Sequence, residues 1–418
     1  MIGYVEMQEA NLWIQTTKPI DFEIRYHPKS TDGDLQTYRG TTQEGESNTA
    51  HIKLEDLSYG TTYDYELYLN GEQVQLSYDT EFTTQQLWQY RRGAPNFSIA
   101  MGSCLFINDK PSDRPGEGYG KGTGILSEIT EQDPDIMLWL GDNVYYREPD
   151  FYSKARMDNR YQDARNTETM QPLLANAINL ATWDDHDYGP NNSNRSYRMR
   201  EQSLDIFKRY WANPSYGIEG TDGVFTKYKY SDVEFFFMDD RYHRAPNGLK
   251  GENRDFFGQA QLQWLMDGLV SSSATFKLVV VGNQATNKMH DYESLYAYKS
   301  GYDQLMNFLS NHDIPGVMFV SGDRHFTELL KTNRGRNYPL YEFTSSPLSS
   351  GTYSALDESE EYNNPQRVNG TLVYEDQNFG MIRVQGKEDE RKLILQTYGS
   401  EGDKLWEKTI SENDLDNE

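Results

Sequence analysis

Thiol, carboxylate, phenol and imidazole groups stand at the ends of four apolar runs in this 418-residue chain. Gly102-Ser103-Cys104 follows Phe97 to Met101, and Gly141-Asp142-Asn143-Val144-Tyr145 follows Leu138-Trp139-Leu140. The run Ile178 to Trp183 leads into Asp184-Asp185-His186-Asp187, and Phe319-Val320-Ser321 leads into Gly322-Asp323-Arg324-His325. These are the side-chain types that hold metal ions. Ligands far apart in sequence meet when their strands lie side by side, and open α/β sheets build their sites at the carboxyl ends of strands. The four runs together point to one dinuclear metal site.

Each motif has a chemical and a plain structural reading. Gly141 allows a sharp turn that leaves Asp142 free to bind or bridge cations, with Tyr145 three residues on. A phenol with a pKa near ~10 ionises at neutral pH only beside a strong Lewis acid, so Tyr145 as a ligand implies a trivalent metal. The structural alternative is an aspartate capping the next helix beside a packed tyrosine. Asp184, Asp185 and Asp187 flank His186, and such crowded carboxylates repel one another unless a cation is present. An acidic surface loop is the alternative, and the preceding apolar run speaks against it. Asn191 and Asn192 suit neutral oxygen ligands or turn positions equally. On an extended segment residues two apart share a side, so Asp323 and His325 face neighbouring ions while Arg324 points elsewhere. Cys104 is either a packed core thiol or a ligand aligned with the other strand ends. Asn283 and Gln284 follow Val279-Val280-Val281-Gly282, a fifth strand end that suits substrate orientation, metal contact or turn chemistry. Arg241 and Arg244, after Phe235 to Met238, are placed to grip an anionic substrate oxygen, with a structural ion pair as the competing role.

The elements that must position these residues are legible in the pattern. Residues 1–90 read as short alternating strands, with Asn70-Gly71 as a hairpin turn, in the manner of a fibronectin- or immunoglobulin-like β-sandwich. Gln89 to Pro95 forms a linker, and residues 91–418 alternate strands with helices. Helical periodicity covers Gly124 to Gln132, Ser196 to Trp211, Gly258 to Leu269 and Tyr302 to Asn311. Continuous apolar runs at Asp135 to Leu140, Lys277 to Val281 and Val317 to Val320 suit strands covered on both faces. Val224 to Tyr230 and Val233 to Met238 form a hairpin at Ser231-Asp232. Strands return at Thr371 to Tyr374, Met381 to Val384 and Leu393 to Tyr398. This order suits an α/β arrangement of two mixed sheets packed together with helices outside. Tyr/Asn-rich insertions at Lys110 to Gly122, Arg147 to Thr169 and Tyr353 to Arg367 are expected to rim the site.

Composition narrows the function. A formal charge of -25 argues against a nucleic-acid-binding surface. No apolar run reaches transmembrane length, and no charged-then-apolar leader pattern follows Met1. Cys104 is the single cysteine, which excludes an internal disulfide. The 31 tyrosines, many in Gly/Asn/Asp-rich loops, suit packing in β-rich structure or a stacking surface.

At these motifs the chain resembles the PhoD-like alkaline phosphatases, a branch of the calcineurin-like metallophosphoesterases. The resemblance runs from about Asn96 to the C-terminus and rests on the four strand-end motifs and on Asp240-Arg241-Tyr242 preceding Arg244. It implies a four-layer αββα sandwich of two mixed sheets, preceded by a small fibronectin-like domain, and an extracellular or periplasmic location. It also implies that Asp142 bridges two metals, with Cys104, Tyr145 and His325 holding a ferric ion (Fe3+). Asp185 and Asp323, joined by Asn192, would hold the second ion, calcium (Ca2+) in the family, and the sequence leaves open whether Asp184 or Asp185 ligates. His186 matches the position near the substrate phosphate. Cys104 replaces the more usual Asp-x-His start and Gly282-Asn283-Gln284 lacks a histidine, which fits this branch and not a purple-acid-type enzyme.

The activity implied is hydrolysis of a phosphate ester, mono- or diester, by a hydroxide made available as the cations lower water's pKa. Arg241 and His186 would assist the phosphoryl and leaving oxygens. A calcium-dependent glycan-binding or adhesion protein is the rival from another class. It leaves the thiol and imidazole unexplained, since calcium takes oxygen ligands.

Overall fold

The structure, a computed structural model, describes residues 1–30, 34–251 and 253–417. The first eight strands are β1 (Ile2–Val5), β2 (Ala10–Gln15), β3 (Asp21–Pro28), β4 (Gln36–Thr41), β5 (Thr49–Leu54), β6 (Thr62–Leu69), β7 (Glu72–Gln73) and β8 (Glu81–Thr83). Asn70 and Gly71 have φ of 48° and 85°, the left-handed pair that a tight hairpin requires. Strands β3, β4, β6, β7 and β8 form a sheet of their own. Strands β1, β2 and β5 instead extend the large sheet of the following region, joined to it where Ile2 pairs with Ile178. The N-terminal strands are thus shared between two sheets.

The α/β region begins with β9 (Phe97–Gly102), α1 (Ile125–Glu131), β10 (Ile136–Leu140), α2 (Lys154–Arg165), α3 (Met170–Asn176) and β11 (Ile178–Thr182). It continues through α4 (Asp185–Tyr188), α5 (Arg200–Tyr210), β12 (Thr226–Tyr230), β13 (Val233–Phe237), α6 (Gln259–Ser271) and β14 (Phe276–Val281). The remaining elements are α7 (Lys299–Asn311), β15 (Val317–Ser321), β16 (Glu328–Arg334), β17 (Asn337–Thr344), β18 (Asn378–Gln385), β19 (Lys392–Gly399) and β20 (Lys404–Ser411). Two sheets result, in the orders β20-β19-β18-β9-β10-β11-β1-β2-β5 and β12-β13-β14-β15-β17-β16. Strands β9, β10 and β11 run parallel in the first, and β13, β14, β15 and β17 run parallel in the second.

Side-chain alternation explains the layers even where every residue is apolar. Ile136, Leu138 and Leu140 point into the core between the sheets, with Phe235, Phe237, Leu278 and Val280 of the facing sheet. Met137 and Trp139 point the other way, under α1, α2, α3 and α5. The result is the α/β/β/α sandwich expected of strands buried on both faces.

Two local expectations change. Arg147 to Thr169 contains helix α2, which packs against α5 with Tyr161 stacked on Tyr210 at 4.9 Å. Its buried face mixes Met157, Tyr161 and Ala164 with Arg160 and Arg165, so the charged residues conceal the apolar stripe. Thr371 to Tyr374 is not a strand; Val373 makes an isolated bridge to Thr327.

Lys277 is buried at the start of β14, where its Nζ donates to Ala274 O at 2.7 Å and Pro315 O at 3.0 Å. Burial lowers its pKa to about 8 from the ordinary lysine value of 10.5. Between those values the unfolded chain holds a proton that the folded chain has released, so stability rises with pH across that window. The stability of the parent relative to Lys277→Met is expected to grow by about 1–2 kcal/mol from pH 8 to pH 10, as read by denaturant unfolding. A constant difference over that range would remove Lys277 from the account.

Candidate metal centre

The two sheets meet at their carboxyl ends with little room between backbones. A Cβ on Gly322 would lie 2.5 Å from the Ser103 side chain and 2.6 Å from Leu140 O, so this turn accepts only glycine. A Cβ on Gly282 would likewise lie 2.5 Å from Trp183 O and 2.9 Å from the Asp184 Cβ. These contacts bring the turns after β9, β10 and β15, and those after β11 and β14, within side-chain reach of one another.

Five candidate ligands sit in the left-handed region although none is glycine: Cys104 (φ 60°), Asp142 (52°), Asn192 (60°), Asp323 (70°) and His325 (55°). Such backbone costs roughly 1–3 kcal/mol per residue and clusters at functional sites. Asp323 and His325 are therefore not on an extended segment, and Arg324 N–H turns back to Gly322 O at 2.9 Å. The simple two-residue alternation expected there is replaced by a tight turn.

The turns converge on Asp142. Ligand atoms of Cys104, Asp142 and His325 lie within 4.8 Å of one another, as do those of Asp142, Asp185 and His186. Cys104 Sγ is 3.6 Å from Asp142 Oδ2, and Tyr145 OH donates to the same oxygen at 3.0 Å. Tyr145 OH is also 3.4 Å from His325 Nε2. The other His325 nitrogen, Nδ1, is fixed by Gly351 O at 2.5 Å and by Tyr119 OH at 3.0 Å, which leaves Nε2 directed at Tyr145. Asp142 Oδ1 accepts the His186 main-chain N–H at 3.1 Å, and the His186 ring stacks on Tyr145 with centroids 4.3 Å apart.

Electrostatics match a cation-binding cluster. Burial, then Cys104 and Asp185, drive the Asp142 carboxyl well above the ordinary range. Burial and Asp323 push the Cys104 thiol up to about 11. Asp323 rises to about 6 through burial and the nearby Glu293. So many groups resist ionisation together because each charge is desolvated and faces another of the same sign. Asp185 Oδ1, by contrast, is buried without a hydrogen-bond partner, a free oxygen in the midst of acids. A cation satisfies both conditions, so the donor set fits bound metal.

The geometry separates Asp184 from Asp185. Asp184 is ion-paired with Arg241, while Asp185 stands in the group with Asp142 and His186 and accepts the Asn192 main-chain N–H at 2.6 Å. The Asn192 side chain, oriented with its nitrogen toward Glu293, donates to that carboxylate. Asp323 lies outside both compact groups and next to Asp185 in electrostatic reach. Arg241 and Arg244 are fully buried, and both contact Glu293. Asn283 uses its main-chain N–H on Asp240 and keeps a buried Nδ2 without partner. Gln284 is committed elsewhere: its Nε2 donates to Glu328 and Thr344, and its Oε1 accepts from Asn287.

Three residues gained roles that motif reading did not give them. Asp187 accepts from the main-chain N–H groups of Asp142, Asn143 and Asp184 and from Asn143 Nδ2. It ties the β10 and β11 turns together. Tyr119, from the Lys110 to Gly122 insertion, orients His325. Glu293 sits on both arginines with no local signature in its loop.

Comparison with known proteins agrees with this architecture. The solved structure entitled "Structure of PhoD" superposes with a TM-score of 0.77 at 14% identity, covering 98% of this chain and 91% of that one. Purple acid phosphatase PPD1 from yellow lupin (Lupinus luteus) seeds gives 0.66 at 11% identity, covering 99% and 74%. The fold is that of a metallophosphoesterase. Residues 115–394 match the PhoD-like phosphatase family, and the chain belongs to that family. Residues 1–87 match a domain of unknown function, DUF7800. Alkaline phosphatase D of Bacillus subtilis (strain 168) is 21% identical over 329 residues, 67% of this chain and 53% of that protein. The chain thus spans about half the length of the curated relative it matches.

Asp187→Ala leaves three buried main-chain donors, at Asp142, Asn143 and Asp184, without an acceptor, which costs about 3 kcal/mol or more. Urea unfolding of the metal-free variant should show that loss. A change below ~0.5 kcal/mol would mean that the two turns hold their shape without Asp187.

Proposed function

We propose that the protein is a metal-dependent phosphoric ester hydrolase. The observation that carries this reading is the pair of ligand groups sharing Asp142. Cys104, Tyr145 and His325 would hold the first ion with Asp142, and their thiol, phenol and imidazole suit Fe3+. Asp185, with Asp323 and Asn192, would hold the second, and their oxygen atoms suit Ca2+. When bound, such a pair supplies Lewis acidity to the phosphoryl oxygens and lowers the pKa of the attacking water.

The chain's own residues do the rest. Asp142 reaches both groups and fixes their separation. Tyr145 stacks under His186 and limits its ring to one tilt. His186 Nε2 lies 3.9 Å from Asp185 Oδ1, and its side chain is 24% exposed, so it can hold and pass a proton at the cleft. Burial lowers its pKa while Asp185 opposes the fall. Arg241 is anchored by Asp184 and positions that side of the cleft through charge. Residues 1–90, proposed as an accessory domain, contribute to neither ligand group. Among the described residues no helix is long and apolar enough to cross a membrane, and the family points to action outside the cytoplasm.

The calcium-only adhesion reading is disfavoured by a thiol and an imidazole within 4.8 Å of the shared carboxylate. Asp142→Asn is expected to lower phosphate-ester hydrolysis by about two orders of magnitude or more and to remove one or both metals. Elemental analysis beside turnover of a mono- and a diester checks both. Full metal content with full activity in that variant would defeat the assignment, and chelation of the parent should abolish turnover.

A further inference from the structure

Glu293 lies in the loop between β14 and α7. Its Oε1 is 3.2 Å from Arg241 Nη1 and 3.5 Å from Arg244 Nη2. Its main-chain oxygen accepts from Arg244 Nη2 at 2.8 Å. The Asn192 amide reaches the same carboxylate, with Oε2 at 2.7 Å, while the Asn192 main-chain N–H holds Asp185 Oδ2. Glu293 therefore touches one proposed ligand, Asn192, directly and is linked through it to Asp185.

The charges around it are uneven. Arg241 already has Asp184, whereas among the described residues Glu293 is the acidic partner of Arg244. Arg244 is fully buried and its Nη1 has no partner. Two fully buried guanidiniums share one loop carboxylate, so Glu293 cancels arginine charge beside Asn192 and the proposed second ion site. On the His325 side, Tyr119 is 47% and Tyr353 is 40% exposed, and the Tyr353 N–H donates to His325 O at 2.9 Å. The Tyr119 ring borders the centre beside His325, and the Tyr353 ring lies next along the rim, stacked on Phe326.

We propose that Glu293 is a specificity-determining residue that makes the site select singly charged phosphodiesters over doubly charged phosphomonoesters. The inference rests on the phosphate-ester reading above. A monoester is a dianion at pH 8 and brings its second charge to a site beside which Glu293 has neutralised the arginine charge. A diester brings one charge, and its second substituent finds the tyrosine rim. One unit of like charge about 10 Å away, at an effective dielectric of ~20, is worth about tenfold in binding.

The test compares Glu293→Gln with the parent as metal-loaded full chains. The probes are p-nitrophenyl phosphate and bis(p-nitrophenyl) phosphate at pH 8. The parent favours the diester by kcat/KM, and Glu293→Gln raises the monoester-to-diester ratio about tenfold, chiefly through KM for the monoester. Thermal-shift titration with inorganic phosphate gives a readout independent of turnover, and the variant is stabilised at lower phosphate concentration than the parent. Dimethyl phosphate shifts both alike. Glu361→Gln removes an acid paired with Arg324 instead, and keeps the parental ratio. An unchanged ratio and unchanged phosphate response in a cooperatively melting Glu293→Gln would overturn the proposal. So would a parent that favours the monoester, which needs no variant at all. A parent that hydrolyses neither ester and responds to neither anion with iron, calcium, manganese or zinc overturns the phosphate-ester reading itself.

Discussion

Asp142 is the residue on which the rest of the site depends, because its two oxygens face two different sets of partners. One oxygen meets Cys104 and Tyr145, and the other is held by the His186 backbone. In a buried setting a carboxylate so placed is costly alone, and more so beside other acids. The arrangement becomes favourable when positive charge sits between the groups. Ordinary protein cations do not supply it there: Arg241 is committed to Asp184 and Glu293, and Arg324 to Glu361 and His290. The cluster therefore asks for positive charge of another kind, as bound metal supplies.

Holding that cluster requires the backbone to give way. Left-handed conformations at Cys104, Asp142, Asp323 and His325 lift side chains off their strands into a common space. Gly282 and Gly322 let one sheet's turns touch the other's. The cost is borne by the core between the sheets, where strands such as β10 and β14 are buried throughout. Bulky apolar packing below makes local strain above tolerable.

Around the centre lies a second tier of paired charges. Asp187 gathers the donors of two turns, Tyr119 orients His325, and Glu293 balances Arg244. None of these acts as a separate salt bridge on the surface. Each fixes the position or the net charge of a group in or beside the ligand cluster, and so couples loops of the chain to its strand ends.

Strand-end motifs were readable because an apolar run of five or six residues has few structural meanings, and a cluster of ligand types after it has fewer. Cys104, Asp142 and His325, with Asp184 and Asp185 as alternatives, could be named as candidate ligands from sequence for that reason, and the hairpin at Asn70-Gly71 and the strands β10, β14 and β15 were legible too. Helix α2 could not, since its buried arginines break the apolar period. The division of β1, β2 and β5 from β3 and β6 was likewise hidden, because alternation along a strand does not say which neighbour it will pair with. Sequence alone determined the donor types and the strands that carry them. Tertiary structure decided that Asp185 and not Asp184 stands by Asp142, that Gln284 is spent in the core, and that Glu293 meets the arginines. Those outcomes turn on which side chains become close neighbours across two sheets, and contact of that kind has no trace in local order along the chain.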